Sequence, residues 1–155
     1  MNKNRTLLLS CVLLPCVSQA EIKLPAIISD HMVLQQKQAN PIWGWDTPGS
    51  AITVTFGDQK KSTTTGADGK WTVKLDPVPA NANPQTLKIS DGTSERILSD
   101  VLVGEVWMCS GQSNMGFTLQ SDWNGDIEAL ATHLPNLRLI TVPRVGTQEL
   151  QNDFK

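Results

Sequence analysis

The sequence predicts a mixed fold, in which an antiparallel β-sandwich or jelly-roll-like module is followed by the start of an α/β domain. Two observations lead to this prediction. Residues 21–103 contain short runs of alternating apolar and polar side chains, separated by turn-forming Asp and Gly residues. From about residue 101 the apolar residues form two nearly continuous runs, Val101–Val103 and Val106–Met108, and past Gly125 they recur at helical spacing, which is typical of an α/β sheet.

Residues 1–20 are predicted to be a secretory signal peptide. Lys3 and Arg5 precede an apolar stretch, Leu7–Val17, that is too short to cross a bilayer, and Ser18-Gln19-Ala20 is a small-residue cleavage site. We therefore expect a secreted or periplasmic protein that does not remain attached to the membrane after cleavage. Loss of this segment would leave one cysteine, Cys109, without a partner in the chain.

Three runs of the β-module have the period-2 pattern of half-buried strands. They are Ile52-Thr53-Val54-Thr55-Phe56, Trp71-Thr72-Val73-Lys74-Leu75 and Leu87-Lys88-Ile89-Ser90. The turn signals next to them are Gly57-Asp58, Ala67-Asp68-Gly69 and Asp91-Gly92. Because Gly adopts the positive φ of tight hairpins at no steric cost, we predict antiparallel strands joined by short turns over residues 21–103.

Residues 104–142 are predicted to form a strand, a turn, a helix and a second strand. The apolar run Val106–Met108 indicates a strand covered on both faces, and Cys109 is predicted to be buried in this strand before Ser113. The helix is marked by i, i+3, i+4, i+7 spacing at Ile127, Leu130, Ala131 and Leu134, with Asn124 or Gly125 as cap and Pro135 as terminator. Leu137, Leu139 and Thr141 alternate as the second strand. One such unit cannot cover its own sheet, so residues 104–155 are predicted to be an incomplete α/β domain.

The composition excludes some classes of function. A net charge of −2 with 18% charged residues gives no basic surface for nucleic acid. Asp122 and Asp126 have no His or Cys at ligand spacing, so we expect no metal and no cofactor. The sequence does not define an oligomeric state.

Ser113 is the candidate nucleophile. It follows the predicted strand Val106–Met108, and strand carboxyl ends are where α/β sheets bind ligands. At the start of a helical segment, its own backbone N–H would point towards an oxyanion. The residue two positions later is Met115 and not Gly, so this is not the nucleophile elbow of the α/β-hydrolases. On spacing alone, a structural Ser that caps a helix remains the alternative.

The string Trp107-Met108-Cys109-Ser110-Gly111-Gln112-Ser113-Asn114-Met115 resembles the first signature block of the sialate O-acetylesterase-like branch of the SGNH hydrolases. The resemblance extends to Ser29–Gln35, to Trp43-Gly44-Trp45 and to Pro135–Leu139. It implies the N-terminal fragment of an esterase with an SGNH-type, three-layer α/β domain. Such an enzyme removes O-acetyl groups from sugars. The nucleophile would be Ser113, and its backbone N–H would be one oxyanion donor.

The resemblance also implies that part of the catalytic machinery lies in later sequence. The family's Gly and Asn oxyanion donors and its Asp-x-x-His element have no counterpart here. Neither His31 nor His133 has an Asp three residues before it, so both are predicted to be structural and the fragment is expected to be inactive alone. Gln112, Asn114 and Trp123 are candidates for contact with the sugar.

Two other interpretations remain open at this point. One is a secreted carbohydrate-binding or adaptor β-module without catalysis, in which Trp side chains stack on sugars. Trp43 and Trp45 share one strand face, although a packing pair is the favoured interpretation. The other is a truncated chain whose exposed apolar residues prevent stable folding.

Overall fold

The computed structural model describes residues 21–154, so the signal peptide predicted for residues 1–20 lies outside the described residues. The described chain is mostly sheet, with few helices. Its strands are β1 (Val33–Gln35), β2 (Asn40–Trp45), β3 (Ala51–Phe56), β4 (Gln59–Thr64), β5 (Lys70–Leu75), β6 (Asn81–Ser90) and β7 (Glu95–Gly104). They are followed by two 3₁₀ turns, Ser113–Gly116 and Leu119–Ser121, and by helix α1 (Gly125–Ala131).

These strands form two sheets. The larger has the order β1-β7-β6-β3-β4 and curls into a half-barrel, and the smaller pairs β2 with β5. The pairs are antiparallel except for β1, which runs parallel to β7 with Val33 opposite Leu102 and Gln35 opposite Gly104. A strand-rich, mainly antiparallel architecture is therefore confirmed. The jelly-roll-like topology, the SGNH-type domain and the division at residue 103 stay predictions.

Buried side chains from both sheets form one apolar cluster. In β3, Ile52, Val54 and Phe56 are buried while the two Thr residues between them are half-buried, as the period-2 pattern predicts. In β5 the buried residues are Trp71, Val73 and Leu75. Burial of each such side chain stabilises the fold by about 1.5–3 kcal/mol before entropy is counted, so the β-module contains its own core.

Two of the three predicted turns, Gly57-Asp58 and Asp91-Gly92, join paired antiparallel strands as hairpins. The hairpin predicted at Ala67-Asp68-Gly69 is wrong, because this turn connects β4 to β5 and these strands belong to different sheets. Gly57 has a φ of 56° in the two-residue turn between β3 and β4. Gly92 has a φ of 89° between β6 and β7, where the Asp91 carboxylate accepts hydrogen bonds from the backbone N–H groups of Thr93 and Ser94. Only Gly adopts such positive φ values without steric cost, so these turns set the register of the strands they join.

The structure differs from the prediction in the segment after β7. The strands predicted at Val106–Met108 and Leu137–Thr141 are not formed, and Met108 and Leu139 are 95% and 87% exposed. A strand requires hydrogen-bonding neighbours, and residues 21–154 place none beside these two runs. The prediction that Cys109 is buried is wrong for the same reason, because without a covered strand its side chain is exposed.

The predicted helix forms, but it is shorter than expected. Helix α1 ends before Thr132, whose backbone N–H donates to the carbonyl of Glu128, and not at Pro135. Asn124 precedes it with a φ of 57° and makes no capping hydrogen bond through its side chain. Leu130 is 88% exposed, so nothing in the described chain covers the apolar face of α1. No helix in residues 21–154 is both long and apolar enough to cross a membrane.

Candidate active site

Where the chain leaves β7 at Gly104, its path is fixed by hydrogen bonds from two side chains. These are Gln35, at the end of β1, and Gln36, the next residue. Oε1 of Gln35 accepts a hydrogen bond from the backbone N–H of Val106 at 2.8 Å. Nε2 of Gln35 donates to one carboxylate oxygen of Glu105 at 3.0 Å, and Nε2 of Gln36 donates to the other. The start of the segment that leads to the candidate nucleophile is therefore held against the β-module.

Ser113 is the first residue of the 3₁₀ turn Ser113–Gly116 and is exposed. Gln112 before it is extended, and its carbonyl accepts a hydrogen bond from the N–H of Met115 at 2.9 Å. A Cβ on Gly111 would lie 2.7 Å from Cγ of Met115, so a side chain at position 111 would require the Met115 side chain to move. The predicted start of a helical segment at Ser113 is observed, whereas the strand expected to lead directly into it is not.

A catalytic base is not brought to Ser113 by the described residues. Within residues 21–154 no hydrogen bond joins the Ser113 hydroxyl to a His or a carboxylate. His133 is exposed beyond the end of α1, and His31 is engaged elsewhere in the β-module. A Ser hydroxyl without a positioned base stays protonated at neutral pH and is a poor nucleophile. Residues 21–154 also contain no group of three side chains suited to a metal ion.

A carboxylate that sequence reasoning missed connects the β-module to the C-terminal segment. Oδ2 of Asp100 lies 2.6 Å from Nδ1 of His31 and accepts a hydrogen bond from Nη2 of Arg138 at 2.8 Å. The hydrogen bond with His31 lowers the pKa of Asp100, burial opposes it, and the Arg138 charge lowers it further. These partners lie 69 and 38 positions away along the chain, so no short motif could have revealed them.

The other predicted site residues surround Ser113 in the chain. Gln112 and Asn114 are exposed on either side of it, and Trp123 is 88% exposed in the turn before α1. The backbone comes close here, because a Cβ on Gly125 would lie 1.6 Å from the carbonyl oxygen of Leu119. Gln112, Asn114 and Trp123 are thus accessible, but no hydrogen bond within residues 21–154 joins Trp123 to the other two.

Trp43 and Trp45 lie on one face of β2, as predicted, and both are half-buried. The Lys23 amine lies 5.6 Å from the ring centroid of Trp45, within the range of a cation–π contact. Trp43 packs against the core and lines a mainly apolar cleft of about 350 Å³ between the β-module and the C-terminal segment. Trp43 thus contacts the core and also borders the cleft, whereas Trp45 contacts Lys23.

The fold of the described chain matches that of part of a known enzyme structure. No family model matches the chain. The crystal structure of a carbohydrate acetylesterase from Xanthomonas citri matches it with a TM-score of 0.82 and 32% sequence identity, over 87% of this chain and 31% of that one. The described chain therefore has the fold of part of a carbohydrate esterase.

The sequence is also similar to those of a particular group of esterases. The sialate O-acetylesterases of Homo sapiens and Pongo abelii are 35% identical to this chain over 84% of its length, and that of Mus musculus is 32% identical over 85%. The chain spans about a quarter of the length of these curated relatives. The resemblance predicted from the sequence is thus confirmed, and the chain is a relative of the sialate O-acetylesterases.

Proposed function

We propose that this chain is the nucleophile-bearing portion of a carbohydrate O-acetylesterase that removes O-acetyl groups from sugars, with Ser113 as the nucleophile. The observation that carries the proposal is its similarity to sialate O-acetylesterases over 84% of its length. A match of that extent is too long to leave out either the β-module or the Ser113 segment. The exposed position of Ser113 at the start of a 3₁₀ turn is consistent with attack on an ester from solvent.

The proposed chemistry is acyl transfer in two steps. The Ser113 oxygen attacks the acetyl carbonyl while a base takes the hydroxyl proton, and the sugar hydroxyl leaves with a proton as an acetyl-Ser ester forms. Water then attacks that ester, releasing acetate and restoring the hydroxyl. The backbone N–H of Ser113 would stabilise the oxyanion in both steps.

Gln112, Asn114 and Trp123 are proposed to contact the sugar, because all three are exposed near Ser113 in the chain. The base, its carboxylate partner and further oxyanion donors would come from sequence equivalent to the rest of the longer relatives. We therefore propose that this chain alone has little or no esterase activity, since Ser113 has no base within residues 21–154.

The test compares the isolated chain with a chimera, in which residues 21–154 replace the matching part of the Xanthomonas citri acetylesterase. We expect p-nitrophenyl acetate hydrolysis by the chimera but only background hydrolysis by the chain. Ser113→Ala should lower kcat of the chimera by at least about 1000-fold. Ser110→Ala, at another exposed Ser in the same segment, is the matched control. Equal effects of the two substitutions would refute the nucleophile assignment.

The second candidate function is a carbohydrate-binding or adaptor β-module. The cleft lined by Trp43 favours it, because Trp43 is only half-buried there and the part of an indole left open can contact a sugar. Titration of the chain with acetylated sugars, followed by Trp fluorescence, distinguishes the two. Saturable binding that Trp43→Ala abolishes and Ser113→Ala leaves intact would support the binding module.

We also propose export to the periplasm or the exterior, on the basis of the charged, apolar and small-residue pattern of residues 1–20. Intact-mass analysis of the protein recovered from each cell fraction tests it. The expected product begins at Glu21, and a full-length product retained in the cytoplasm would contradict export.

A further inference from the structure

The parallel pairing of β1 with β7 ends just where the chain turns towards Ser113. The ladder joins Val33 to Leu102 and continues to Gln35 opposite Gly104, and the N–H of Gln36 donates to the carbonyl of Gly104 at 2.8 Å. No strand continues beyond Gly104. The next residues would be free to leave β7 in many directions unless something other than a ladder holds them.

The Gln35 carboxamide supplies that hold. Its Oε1 accepts a hydrogen bond from the Val106 N–H at 2.8 Å, as a backbone carbonyl would if the strand pairing continued. Its Nε2 donates a hydrogen bond to the Glu105 carboxylate at 3.0 Å. The Nε2 of Gln36 donates a hydrogen bond to the other carboxylate oxygen of Glu105. Gln35, Gln36, Glu105 and the Val106 N–H are called the exit clamp below.

The anchor of the exit clamp is itself fixed. The backbone N–H of Gln35 donates to Oδ1 of Asn40 at 2.9 Å, and Nδ2 of Asn40 donates to the carbonyl of Gln35 at 2.9 Å. Asn40 is only 8% exposed, so its amide exchanges two bonds with Gln35 in a largely dry environment. The position from which the Gln35 side chain reaches out is therefore set by a buried residue.

The exit clamp is the last hydrogen-bonded hold on the chain before the Ser113 turn. Within residues 21–154 no hydrogen bond involves residues 107–111, and the next bond runs from the Met115 N–H to the Gln112 carbonyl. On the side of the chain that precedes Ser113, the hydrogen bonds from the β-module therefore act through Glu105 and Val106, whereas those to Arg138 and Asp153 hold the chain beyond α1.

We propose that Gln35 is a positioning residue that directs the chain from β7 towards Ser113, which extends the function proposed above and rests on it. Gln35 does not touch the reacting atoms. It acts by holding Glu105 and Val106, so that Ser113 is presented in one orientation to the remainder of the esterase.

The exit clamp can be tested by exchanging the hydrogen-bond donor of Gln35 and the acceptor of Glu105 between the two positions. Gln35→Glu keeps an oxygen for the Val106 N–H but places a second carboxylate against Glu105. The double substitution Gln35→Glu with Glu105→Gln restores a donor–acceptor pair at that contact. The control is Gln59→Ala, since the Gln59 carboxamide makes a comparable pair of bonds with the backbone N–H and carbonyl of Asp76 elsewhere on the module.

The primary measurement is amide hydrogen exchange at Val106 in the full chain. Gln35→Ala removes the acceptor and should accelerate exchange there by about fivefold or more, the factor of one ordinary hydrogen bond. Gln35→Glu retains an acceptor, but repulsion from Glu105 should move it away from the Val106 N–H and accelerate exchange as well. The double variant should restore protection. Gln59→Ala should leave Val106 unchanged. Unaltered exchange in Gln35→Ala, or no recovery in the double variant, would overturn the exit clamp.

The catalytic consequence is measured in the chimera. Gln35→Ala should lower kcat with little change in KM, and the double variant should recover it. If Val106 exchange responds but kcat does not, while Ser113→Ala abolishes turnover, the positioning role is wrong and the proposed function stands. If Ser113→Ala has no effect, the proposed function fails, and the exchange data still decide whether the clamp exists.

Discussion

Nδ1 of His31 and Oδ2 of Asp100 lie 2.6 Å apart, and both residues hold positive φ angles, of 64° and 53°. Such angles are uncommon for residues other than Gly, so the fold maintains two unfavourable backbone conformations where these side chains meet. Because Oδ2 of Asp100 also accepts a hydrogen bond from Arg138, one carboxylate oxygen joins the loop before β1, strand β7 and the C-terminal segment.

The Asp100 carboxylate should make stability depend on pH. Its pKa in the folded chain is below the ordinary value of 3.8, chiefly through the hydrogen bond with His31. A lowered folded pKa means that the stabilisation is complete above the unfolded pKa and is lost as pH falls through the folded pKa. We expect Asp100→Asn to lower Tm at pH 7, and the difference from the unsubstituted chain to shrink steadily below about pH 4.

Asn is the suitable replacement because it tolerates positive φ, so the substitution removes charge without adding backbone strain. Asp58→Asn, in the exposed turn between β3 and β4, is the control for removing one carboxylate and should lower Tm at pH 7 less than Asp100→Asn. A constant Tm difference for Asp100→Asn from pH 7 to pH 2.5 would show that the charge of Asp100 does not stabilise the fold.

Asp91 should titrate unusually low. Burial acts to raise its pKa, but hydrogen bonds from Ser94 and Thr93 outweigh that effect and hold the pKa of Asp91 at about 2. We expect the stabilisation by this turn to persist above pH 4 and to disappear as pH falls towards 2. NMR titration of the Asp91 carboxyl carbon measures the midpoint directly, and a midpoint near 4 would mean that these bonds are not formed in solution.

Gly44 should not accept a side chain. A Cβ there would lie 2.3 Å from the carbonyl oxygen of Lys23 and 2.8 Å from Cζ2 of the buried Trp71. We expect Gly44→Ala to lower the free energy of unfolding by about 1–3 kcal/mol in urea titrations, as overpacking of a core does. Gly146→Ala, with nothing within 4 Å of its Cβ, should be close to neutral. Similar losses in both variants would contradict the close packing around Gly44.

The core and the exposed helix should respond differently to the same truncation. Leu87 is fully buried in β6, and Leu130 is 88% exposed on α1. Leu87→Ala should cost about 2–5 kcal/mol of unfolding free energy, and Leu130→Ala should change it by less than about 0.5 kcal/mol. Chemical denaturation of both variants tests this, and a large cost for Leu130→Ala would mean that α1 is covered in solution.

The sequence predicted the strands that have one buried face. In β3 and β5 every second residue enters the core, so the period-2 pattern is strong. Strand β4 was not predicted, because Gln59–Thr64 buries none of its side chains fully and pairs only along the edge of the sheet. Its place is set by the Gly57 turn and by pairing with β3, and neither leaves a hydrophobic pattern.

The candidate site was predicted less completely than the β-module. The Ser113 turn follows from a local string of residues, whereas the contacts of Gln35 and Asp100 join residues about 70 positions apart. The predicted strands at Val106–Met108 and Leu137–Thr141 failed because apolar residues indicate a tendency to be buried and do not supply the neighbour that buries them. The assignment of residues 104–155 to a separate domain stays a prediction.

The parallel contact between β1 and β7 has a consequence for the order of folding. Gln35 and Glu105 are 70 positions apart, so their contact closes a much longer loop than the hairpin joining β3 to β4. Long loops cost more entropy to close, and contacts of high sequence separation form slowly. During synthesis, β1 can pair with β7 only after almost the whole β-module has emerged from the ribosome. The segment that carries Ser113 should therefore gain its fixed starting direction at a late stage of folding.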